Sequence, residues 1–322
     1  MSTPTFFTPV QTSILEVEER MRAQAEDCHP DMRAVLQNLL SSGGKRIRPT
    51  LGLLIGNMLG ADLDKTITLG AAVEMLHTAT LVHDDLIDGA LLRRGTPTLN
   101  SRWAPAATVL TGDFLFAKAA KLAAESDCLP LMRLFAETLA TIVNGELTQM
   151  FSSRGLIKRE EYYRRIYAKT ASLFEMSARA AAMISPVDDK TVSAMQVFGY
   201  EIGMAFQIVD DILDFTGEQA TVGKPVGSDL LQGLVTLPTL YYIESHPDDL
   251  EVRNLAKDGG SIDEEKMKNL VISIQSSDSI QKSINEANQF VERGLQVLLP
   301  FKAGVERAAL EELARYIVHR RT

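Results

Sequence analysis

The sequence of 322 residues contains few cysteines and no long uninterrupted apolar run. Its two cysteines, Cys28 and Cys128, cannot build a disulfide framework, and neither belongs to a CxxC or Cys/His cluster. No stretch reaches the ~18 apolar residues of a membrane span, and the N-terminus lacks the basic and apolar regions of a signal peptide. These absences predict a soluble cytoplasmic protein without a transmembrane segment.

The chain also has little positive charge and few aromatic residues. It contains 33 Lys and Arg against 42 Asp and Glu, which gives a formal net charge of -9. Nucleic-acid binding depends on Lys and Arg that neutralise phosphates, so the acidic balance predicts no nucleic-acid partner. The 6% aromatic share argues against an aromatic-rich binding module. The length and the 45% hydrophobic share are sufficient for a large core.

Alternating strand patterns are nearly absent, whereas apolar residues recur at helical spacing along the chain. Several helical stretches are long and apolar on more than one face, so they must be buried among other helices. We find no internal repeat and no low-complexity linker, which favours one domain over residues 1–322. The predicted fold is therefore all-α, a single large helical bundle. Its main helices are predicted over 67–87, 109–124, 131–151, 162–184 and 192–215.

The pattern DDxxD occurs twice, each time within an apolar helical segment. At 3.6 residues per turn, this spacing places three carboxylates on one helical face, where they repel each other unless cations are bound. Carboxylate oxygens are hard ligands that suit Mg²⁺, which commonly bridges one or two carboxylates and substrate phosphates. The first motif is Asp84, Asp85 and Asp88, and the second is Asp210, Asp211 and Asp214.

Two other acidic pairs have a different context. Residues 188–189 and 248–249 each follow a proline, in the pattern of an ordinary helix start. Acidic side chains are stabilising at the positive end of a helix. We therefore predict that these pairs are structural, in contrast to the two DDxxD motifs.

Basic segments provide candidate anion sites. The segment GGKRIRP at residues 43–49 combines a glycine break, three cations and a helix start, which together can bind a phosphate group. Weaker candidates are RRG at 93–95, KT at 169–170 and GKP at 223–225. The chain has no GxxxxGK[ST] loop and no GxGxxG after a strand, which argues against nucleotide-loop enzymes.

As a set, these motifs resemble those of the trans-isoprenyl diphosphate synthases, specifically the long-chain polyprenyl diphosphate synthases. The segments GGKRIRP, LVHDDLID followed by LRRG, KT, FQIVDDILDFTG and GKPVGSDL occur in that family's order. The resemblance covers nearly the whole chain. It implies an isoprenoid synthase type I fold around a central cavity, usually as a homodimer. It also implies a reaction that uses Mg²⁺ to join isopentenyl diphosphate to an allylic diphosphate.

The resemblance assigns a role to each matching position. It implies that Mg²⁺ is held by Asp84, Asp88, Asp210 and Asp214, and that the catalytic set is completed by Asp85, Asp211 and Lys169. The allylic diphosphate would be bound by Arg93, Lys169, Thr170, Gln207 and Lys224. Isopentenyl diphosphate would be bound by Lys45, Arg48, His77 and Arg94. A core role for His77, on an apolar helix, remains an alternative.

The residues one turn before the first motif bear on product length. They are Ala79 and Thr80, both small, whereas family members with short products often have aromatic residues there. Small side chains leave room for a growing apolar chain, which predicts a product of hepta- to decaprenyl size. The alternative is that Ala79 and Thr80 only allow neighbouring helices to approach closely.

Four other functions remain open. The chain could be a shorter-chain synthase for geranylgeranyl or farnesyl diphosphate, with the cavity floor elsewhere. It could be a terpene cyclase, although that enzyme needs no isopentenyl diphosphate site. A non-catalytic subunit of a heteromeric synthase is a third possibility, although eroded motifs would then be expected. The fourth is a helical scaffold without chemistry.

Overall fold

The computed structural model describes residues 4–26, 28–41, 44–93, 95–151, 156–217, 226–257 and 264–320. These residues are helical almost throughout, which confirms the all-α prediction. A 3-10 helix, Thr5–Val10, comes first. The α-helices are α1 (Gln11–Ala23), α2 (Pro30–Ser41), α3 (Ile47–Leu59), α4 (Leu63–Ile87), α5 (Pro105–Ala124), α6 (Leu129–Phe151), α7 (Arg159–Ile166), α8 (Ser172–Met183), α9 (Asp189–Thr216), α10 (Ser228–Leu231), α11 (Leu237–Ser245), α12 (Leu250–Lys257), α13 (Glu264–Ser276), α14 (Ser279–Leu298) and α15 (Val305–His319).

The five predicted helical stretches coincide with observed helices, except that Ile184 lies one residue past the end of α8, and there are two departures from the expected pattern. The first is a π-helical turn at Tyr167–Ala171, which joins α7 to α8 inside the stretch predicted over 162–184. Single π-helical turns are rare overall, but those that occur are often found at functional sites. The second is a pair of two-residue strands, β1 (Leu92–Arg93) and β2 (Thr96–Pro97), which pair in antiparallel register.

The chain divides into two compact units. The first unit comprises Met1–Thr138, Leu173–Gly199 and Val297–Leu313. The second comprises Leu139–Ser172, Tyr200–Gln296 and Ala314–Thr322. One domain over residues 1–322 stays a prediction.

Helices α3 and α4 form the core of the first unit. Both are apolar on most faces, and side chains such as Leu54 and Val73 are fully buried. Helix α5 approaches α4 closely at Gly112, where an added Cβ would lie 2.2 Å from Nε2 of His83. The same nitrogen of His83 lies 3.1 Å from the carbonyl oxygen of Val109. Helix α5 thereby fixes the C-terminal half of α4.

In the second unit, Glu286 on α14 connects three helices. It accepts hydrogen bonds from Nη1 of Arg159 at 3.0 Å and from the hydroxyl of Tyr241 at 2.5 Å. The hydroxyl of Tyr163 also donates to it. Because these donors lie on α7 and α11, one carboxylate holds α7, α11 and α14 together.

Two expectations from composition can be compared with the structure. Cys28 and Cys128 are free and half-buried, as expected for a chain without a disulfide framework. Over the part of the chain that the structure describes, no helix is both long enough and apolar enough for a membrane crossing.

Candidate active site

The first acidic motif lies at the C-terminal end of α4. Asp88 is the C-cap residue, and Gly89 follows in the left-handed region with φ 63°. The amide of Ala90 donates to the carbonyl of Asp85 at 2.9 Å, which closes the helix as a Schellman motif. Because the helix dipole is negative at this end, it adds to the charge of Asp84, Asp85 and Asp88 and favours a bound cation.

The three aspartates of the first motif have different environments. Asp85 is buried, and its Oδ1 accepts a hydrogen bond from Nε of Arg93 at 2.8 Å. Asn100 donates to the backbone carbonyl of Asp85 at 2.9 Å and so connects the following loop to the helix end. Asp84 is half-buried and Asp88 is exposed. Within this motif Asp85 is therefore the most buried carboxylate, and it forms an ion pair with Arg93.

The second acidic motif lies near the C-terminal end of α9, and its central residue is Asp211. Asp211 is buried and accepts hydrogen bonds at 2.8 Å from the hydroxyl of Tyr162 and from Nε2 of Gln207. Oε1 of Gln207 in turn accepts from the hydroxyl of Thr170. Thr170 and Gln207 were predicted separately as diphosphate ligands, and the structure joins both to Asp211 in one hydrogen-bonded chain.

The pKa of Asp211 is raised to about 7. The largest cause is burial, which removes the carboxylate from water, and the negative charge of Asp229 adds to it. The hydrogen bonds from Gln207 and Tyr162, both neutral donors, and the positive charge of Arg165 act in the opposite direction. Together they compensate the effect of burial only in part.

The first aspartate of the second motif, Asp210, forms an ion pair with Arg320. Nη2 of Arg320 lies 2.6 Å from Oδ1 of Asp210 and donates to the carbonyl of Phe206 at 2.8 Å. The guanidinium also lies 3.8 Å from the centre of the Phe206 ring. Only 4% of the Arg320 side chain is exposed, so Arg320 is a buried ion-pair partner of the second motif.

The last aspartate of the second motif, Asp214, binds the start of α10. Its Oδ1 accepts from the amide and the hydroxyl of Ser228, at 3.1 and 2.6 Å. Its Oδ2 accepts from the amide of Asp229 at 3.1 Å. A carboxylate offers about four acceptor positions, so these three bonds leave Asp214 less capacity for a metal ion.

Lys169 lies in the π-helical turn together with Thr170. Its Nζ is 3.3 Å from Oε1 of Glu146 on α6, and 40% of the side chain is exposed. The π-helical turn shifts the side-chain register of the helix, so the tertiary structure, and not the helical period, determines which residues share a face with Lys169.

The predicted ligands of isopentenyl diphosphate lie in the first unit, around the start of α3 and on α4. Lys45 is exposed, and Arg48 and His77 are half-buried. The guanidinium of Arg48 lies 4.7 Å from the centre of the Phe174 ring, and its backbone carbonyl accepts from the hydroxyl of Ser177 at 2.8 Å. These contacts hold Arg48 at the start of α3. Arg94 and Lys224, which were also predicted as ligands, lie outside the described residues.

The predicted chain-length residues lie one turn before the first motif, on α4. Ala79 is fully buried. Thr80 is half-buried, and its hydroxyl donates to the carbonyl of His77 at 2.7 Å. Both residues are thus on the helix that carries the first motif, as predicted, while their role in product length stays a prediction.

Several residues that contact predicted site residues or lie beside them were missed from the sequence. They share one property, namely that their partners are distant along the chain, so no local pattern marks them. Among them, only Arg46 lies within a motif noted in the sequence, GGKRIRP. The sequence did not indicate that its role differs from those of the neighbouring Lys45 and Arg48. The missed residues are Arg46, Glu74, Asn100, Tyr162 and Arg320.

The donor set can be compared with what Mg²⁺ requires. Within the described ranges, no group of three His, Cys, Asp or Glu side chains is arranged to hold a metal ion. Mg²⁺ usually keeps several waters and is bound through one or two carboxylates together with substrate phosphates. Asp84 and Asp88 are one helical turn apart and provide such a pair. The first motif therefore fits an ion that is held jointly with a diphosphate, and the second fits one through Asp210 where it shares that carboxylate with Arg320.

Comparisons with known proteins identify similar sequences and structures. A sequence profile described as polyprenyl synthetase matches residues 29–274. The chain is 34% identical over 318 residues to heptaprenyl diphosphate synthase component 2 of Geobacillus stearothermophilus, with 98% of each chain covered. It is 32% identical over 313 residues to octaprenyl diphosphate synthase of Haemophilus influenzae, which covers 90% of this chain and 94% of the relative. A crystal structure of polyprenyl synthase from Caulobacter crescentus, complexed with calcium and isoprenyl diphosphate, matches with TM-score 0.92 and 33% identity, covering 100% of this chain and 98% of the other.

Proposed function

Because the chain belongs to the polyprenyl synthetase family and is a prenyltransferase, we propose that it elongates an allylic diphosphate with isopentenyl diphosphate units. The proposed product is a long-chain all-trans polyprenyl diphosphate of hepta- to decaprenyl size. The observation that carries this proposal is the pair of intact DDxxD motifs, each near the C-terminal end of a long helix and each with a buried central aspartate.

Residues of the first unit are proposed to bind both substrates. Lys45, Arg48 and His77 would bind the diphosphate of isopentenyl diphosphate, because Lys45 and Arg48 supply charge around the start of α3 and His77 supplies a hydrogen-bond donor from α4. Asp84 and Asp88 would hold Mg²⁺ together with the allylic diphosphate. Arg93 would also bind this diphosphate, and Asp85 orients its guanidinium.

Residues in and around the second acidic motif are also proposed to bind the allylic diphosphate. Lys169 supplies a cation, and Thr170 and Gln207 supply polar groups whose orientation is fixed by Asp211 and Tyr162. Asp210 and Asp214 would form the second metal-binding motif. The Caulobacter crescentus relative was crystallised with calcium and isoprenyl diphosphate, which supports a divalent cation and a diphosphate as joint ligands.

The proposed reaction needs no nucleophilic side chain. The allylic C–O bond breaks heterolytically, diphosphate leaves with the electron pair, and the double bond of isopentenyl diphosphate attacks the resulting allylic cation. A proton is then lost to the released diphosphate. Bound Mg²⁺ would supply Lewis-acid neutralisation of the diphosphate charge. The protein would contribute position, preorganised charge and exclusion of water, which would otherwise quench the cation.

Two observations support a long product. Ala79 is small and fully buried on the helix of the first motif, so that position carries no aromatic block. Relatives at 32–34% identity are named for heptaprenyl and octaprenyl products. A geranylgeranyl or farnesyl product remains the alternative.

One observation favours a second candidate, a component of a heteromeric synthase. The relative from Geobacillus stearothermophilus is named as component 2 of heptaprenyl diphosphate synthase. The intact acidic motifs favour a catalytic component over a non-catalytic one. A requirement for another protein would appear as inactivity of the purified chain alone.

We also propose a homodimer, located in the cytoplasm. The second half of α6 carries a stripe of exposed apolar side chains at helical spacing, which a second copy would cover. The stripe consists of Val143, Leu147, Met150 and Phe151. Light scattering should give the mass of a dimer, and Leu147→Glu should give a monomer.

The central test uses the purified chain alone. With Mg²⁺, isopentenyl diphosphate and each allylic primer in turn, we expect elongation, and chromatography of the product should show hepta- to decaprenyl length. A chelator should stop the reaction, and added Mg²⁺ should restore it. A product formed without isopentenyl diphosphate would indicate a terpene cyclase, and no product from any primer would contradict the proposal for the isolated chain.

A further inference from the structure

The three cations of GGKRIRP have different environments, although the sequence presents them together. Lys45 is exposed and Arg48 is half-buried, whereas only 9% of the Arg46 side chain is exposed. Arg46 is therefore not a surface cation to which a ligand could bind. A buried guanidinium must be paired within the protein, and its partners indicate its role.

Arg46 is bound by three elements at once. Its Nε lies 2.9 Å from Oε1 of Glu18 on α1, and its Nη1 lies 2.9 Å from Oε1 of Glu74 on α4. Its Nη2 donates to the carbonyl of Leu40 in the last turn of α2, at 2.7 Å. The planar guanidinium presents its donors in a fixed fork, so these three bonds determine the relative positions of the three acceptors.

The backbone of Arg46 is also unusual. Its φ of 44° and ψ of 34° lie in the left-handed region, which is uncommon for a residue with a side chain. Such a conformation persists where the surroundings determine it, and residues of this kind cluster at ligand sites. Here Arg46 is the N-cap residue of α3, and its conformation turns the chain between Lys45 and the first turn of α3, which contains Arg48.

Glu74, the more buried of the two carboxylate partners of Arg46, lies three residues before His77 on α4. Residues three apart are neighbours on a helix, so the ion pair is located one turn from His77. Arg46 thus connects the segment that carries Lys45 and Arg48 to the helix face that carries His77. These are the three described residues proposed to bind isopentenyl diphosphate.

We infer that Arg46 is a positioning residue of the isopentenyl diphosphate site, which through Glu74 and Glu18 fixes the placement of Lys45 and Arg48 relative to His77. This inference rests on the proposed function. Arg46 does not itself contact the substrate. Its loss should therefore weaken the binding of isopentenyl diphosphate and leave the allylic substrate nearly unaffected.

The test measures the Kd of isopentenyl diphosphate by titration calorimetry, together with KM for each substrate and kcat. For Arg46→Gln we expect Kd and KM for isopentenyl diphosphate to rise about tenfold or more, because a misplaced ligand set loses charge-assisted bonds. KM for the allylic diphosphate should change by less than about threefold, and kcat at saturation should largely persist.

Arg20→Gln is the matched control. Arg20 also joins α1 to α4 through an ion pair, since its Nη2 lies 2.6 Å from Oδ1 of Asp64. Asp64 is ten residues before Glu74, about 15 Å along the helix. Arg20→Gln should leave the Kd of isopentenyl diphosphate unchanged. An equal loss of affinity in both variants would contradict the inference.

Two further variants separate positioning from stability, because a buried Glu74 without its partner destabilises the fold. The double variant Arg46→Gln with Glu74→Gln removes both charges and should recover Tm while Kd stays raised. Recovery of both Tm and Kd would show a purely stabilising role and overturn the inference. The milder Glu18→Gln removes the more exposed ion pair and should raise Kd about threefold. An unchanged Kd there would also count against the inference.

The outcomes distinguish this inference from the function on which it rests. If the wild-type chain neither binds nor consumes isopentenyl diphosphate, the proposed function is wrong. If the wild-type chain binds it and Arg46→Gln, in folded form, binds it equally well, the proposed function stands and the inference is wrong.

Discussion

The two acidic motifs have the same three aspartates at the same spacing but different partners within the protein. In the first motif, an arginine, Arg93, pairs with the central residue, Asp85. In the second, neutral donors bind the central residue, Asp211, and the arginine, Arg320, pairs with the first aspartate, Asp210. A repeated motif therefore specifies which carboxylates share a helix face, but not which of them the protein neutralises.

The electrostatic result also differs. A cation donates a hydrogen bond to the buried Asp85, whereas the hydrogen bonds to Asp211 from described residues come from neutral groups. The pKa of Asp211 is raised to about 7 although the positive charge of Arg165 acts to lower it. Burial of a carboxylate costs the free energy of its hydration. Hydrogen bonds from a neutral hydroxyl and amide offset less of this cost than a charge-assisted hydrogen bond from a guanidinium. An ion pair thus stabilises the central aspartate of the first motif, and neutral hydrogen bonds stabilise that of the second. The following predictions test this difference, from the largest expected effect to the smallest.

The outer aspartates should matter most in both motifs. We expect Asp84→Ala and Asp210→Ala each to reduce kcat by about 100-fold or more, because each removes a carboxylate proposed to hold the metal beside the diphosphate. Steady-state assays with purified variants provide the measurement. Asp188→Ala is the control on the same helix as Asp210, since Asp188 only caps its start. Near wild-type activity in either motif variant would contradict the assignment.

The central aspartates should respond differently to an amide. Asp211→Asn keeps acceptors and donors for Tyr162 and Gln207, so we expect less than about a tenfold loss of kcat/KM and an unchanged or higher Tm. Asp85→Asn leaves the charge of Arg93 without its carboxylate, so we expect a larger loss and a raised KM for the allylic diphosphate. Kinetics and thermal unfolding of the two variants should be measured side by side. Equal losses would remove the distinction between the two motifs.

Product length should depend on the helix of the first motif. We expect Ala79→Phe to shorten the product, because the aromatic side chain fills space beside the first motif, at a cost of about 1–3 kcal/mol of stability from overpacking. Chromatographic sizing of the products provides the measurement. Ala287→Phe, at another buried alanine, controls for overpacking alone. An unchanged product length in Ala79→Phe would refute this position as the gate.

Acidic residues at helix starts should affect stability and not activity. Asp249 caps α12, where its Oδ1 accepts from the amides of Glu251 and Val252 at 2.8 and 3.3 Å. Burial raises the pKa of Asp249, but the hydrogen bonds from Tyr242 and these amides outweigh it, and the pKa is lowered.

The stabilisation from Asp249 is therefore fully present above its unfolded pKa of about 4 and is lost as the pH falls through the lower folded value. We expect Asp249→Ala to lower the free energy of unfolding by about 1 kcal/mol at pH 7 and by less at pH 3. Urea unfolding at both pH values tests this, with activity as the control. A cost that does not depend on pH would show that the charge is not involved.

Local patterns were sufficient for much of the fold. The acidic pairs at 188–189 and 248–249 were predicted as helix starts, and the structure confirms that Asp188 and Asp249 cap α9 and α12. The long apolar stretches were predicted as buried helices, and α4 is one of them. These predictions succeeded because helical periodicity and helix capping depend on residues within a few positions of each other.

Other features could not be predicted, because their partners are distant in the sequence. The pairs Arg320 with Asp210 and Tyr162 with Asp211 span 110 and 49 residues. The π-helical turn that carries Lys169 lies in a stretch whose composition is that of an ordinary helix. No local pattern distinguishes Arg46 from Lys45 and Arg48, although Arg46 is the most buried of the three and is ion-paired with Glu18 and Glu74.

The sequence alone thus determined the helical class, the two acidic motifs and the family, since all three are encoded in residue type and short-range spacing. The tertiary structure alone decided which charges are compensated. It bound Asp85 to a cation and Asp211 to neutral donors, and it placed Arg46 inside the protein between Glu18 and Glu74. The physical reason is that the energy of a charge depends on its burial and on its neighbours in space, and residue order does not specify either.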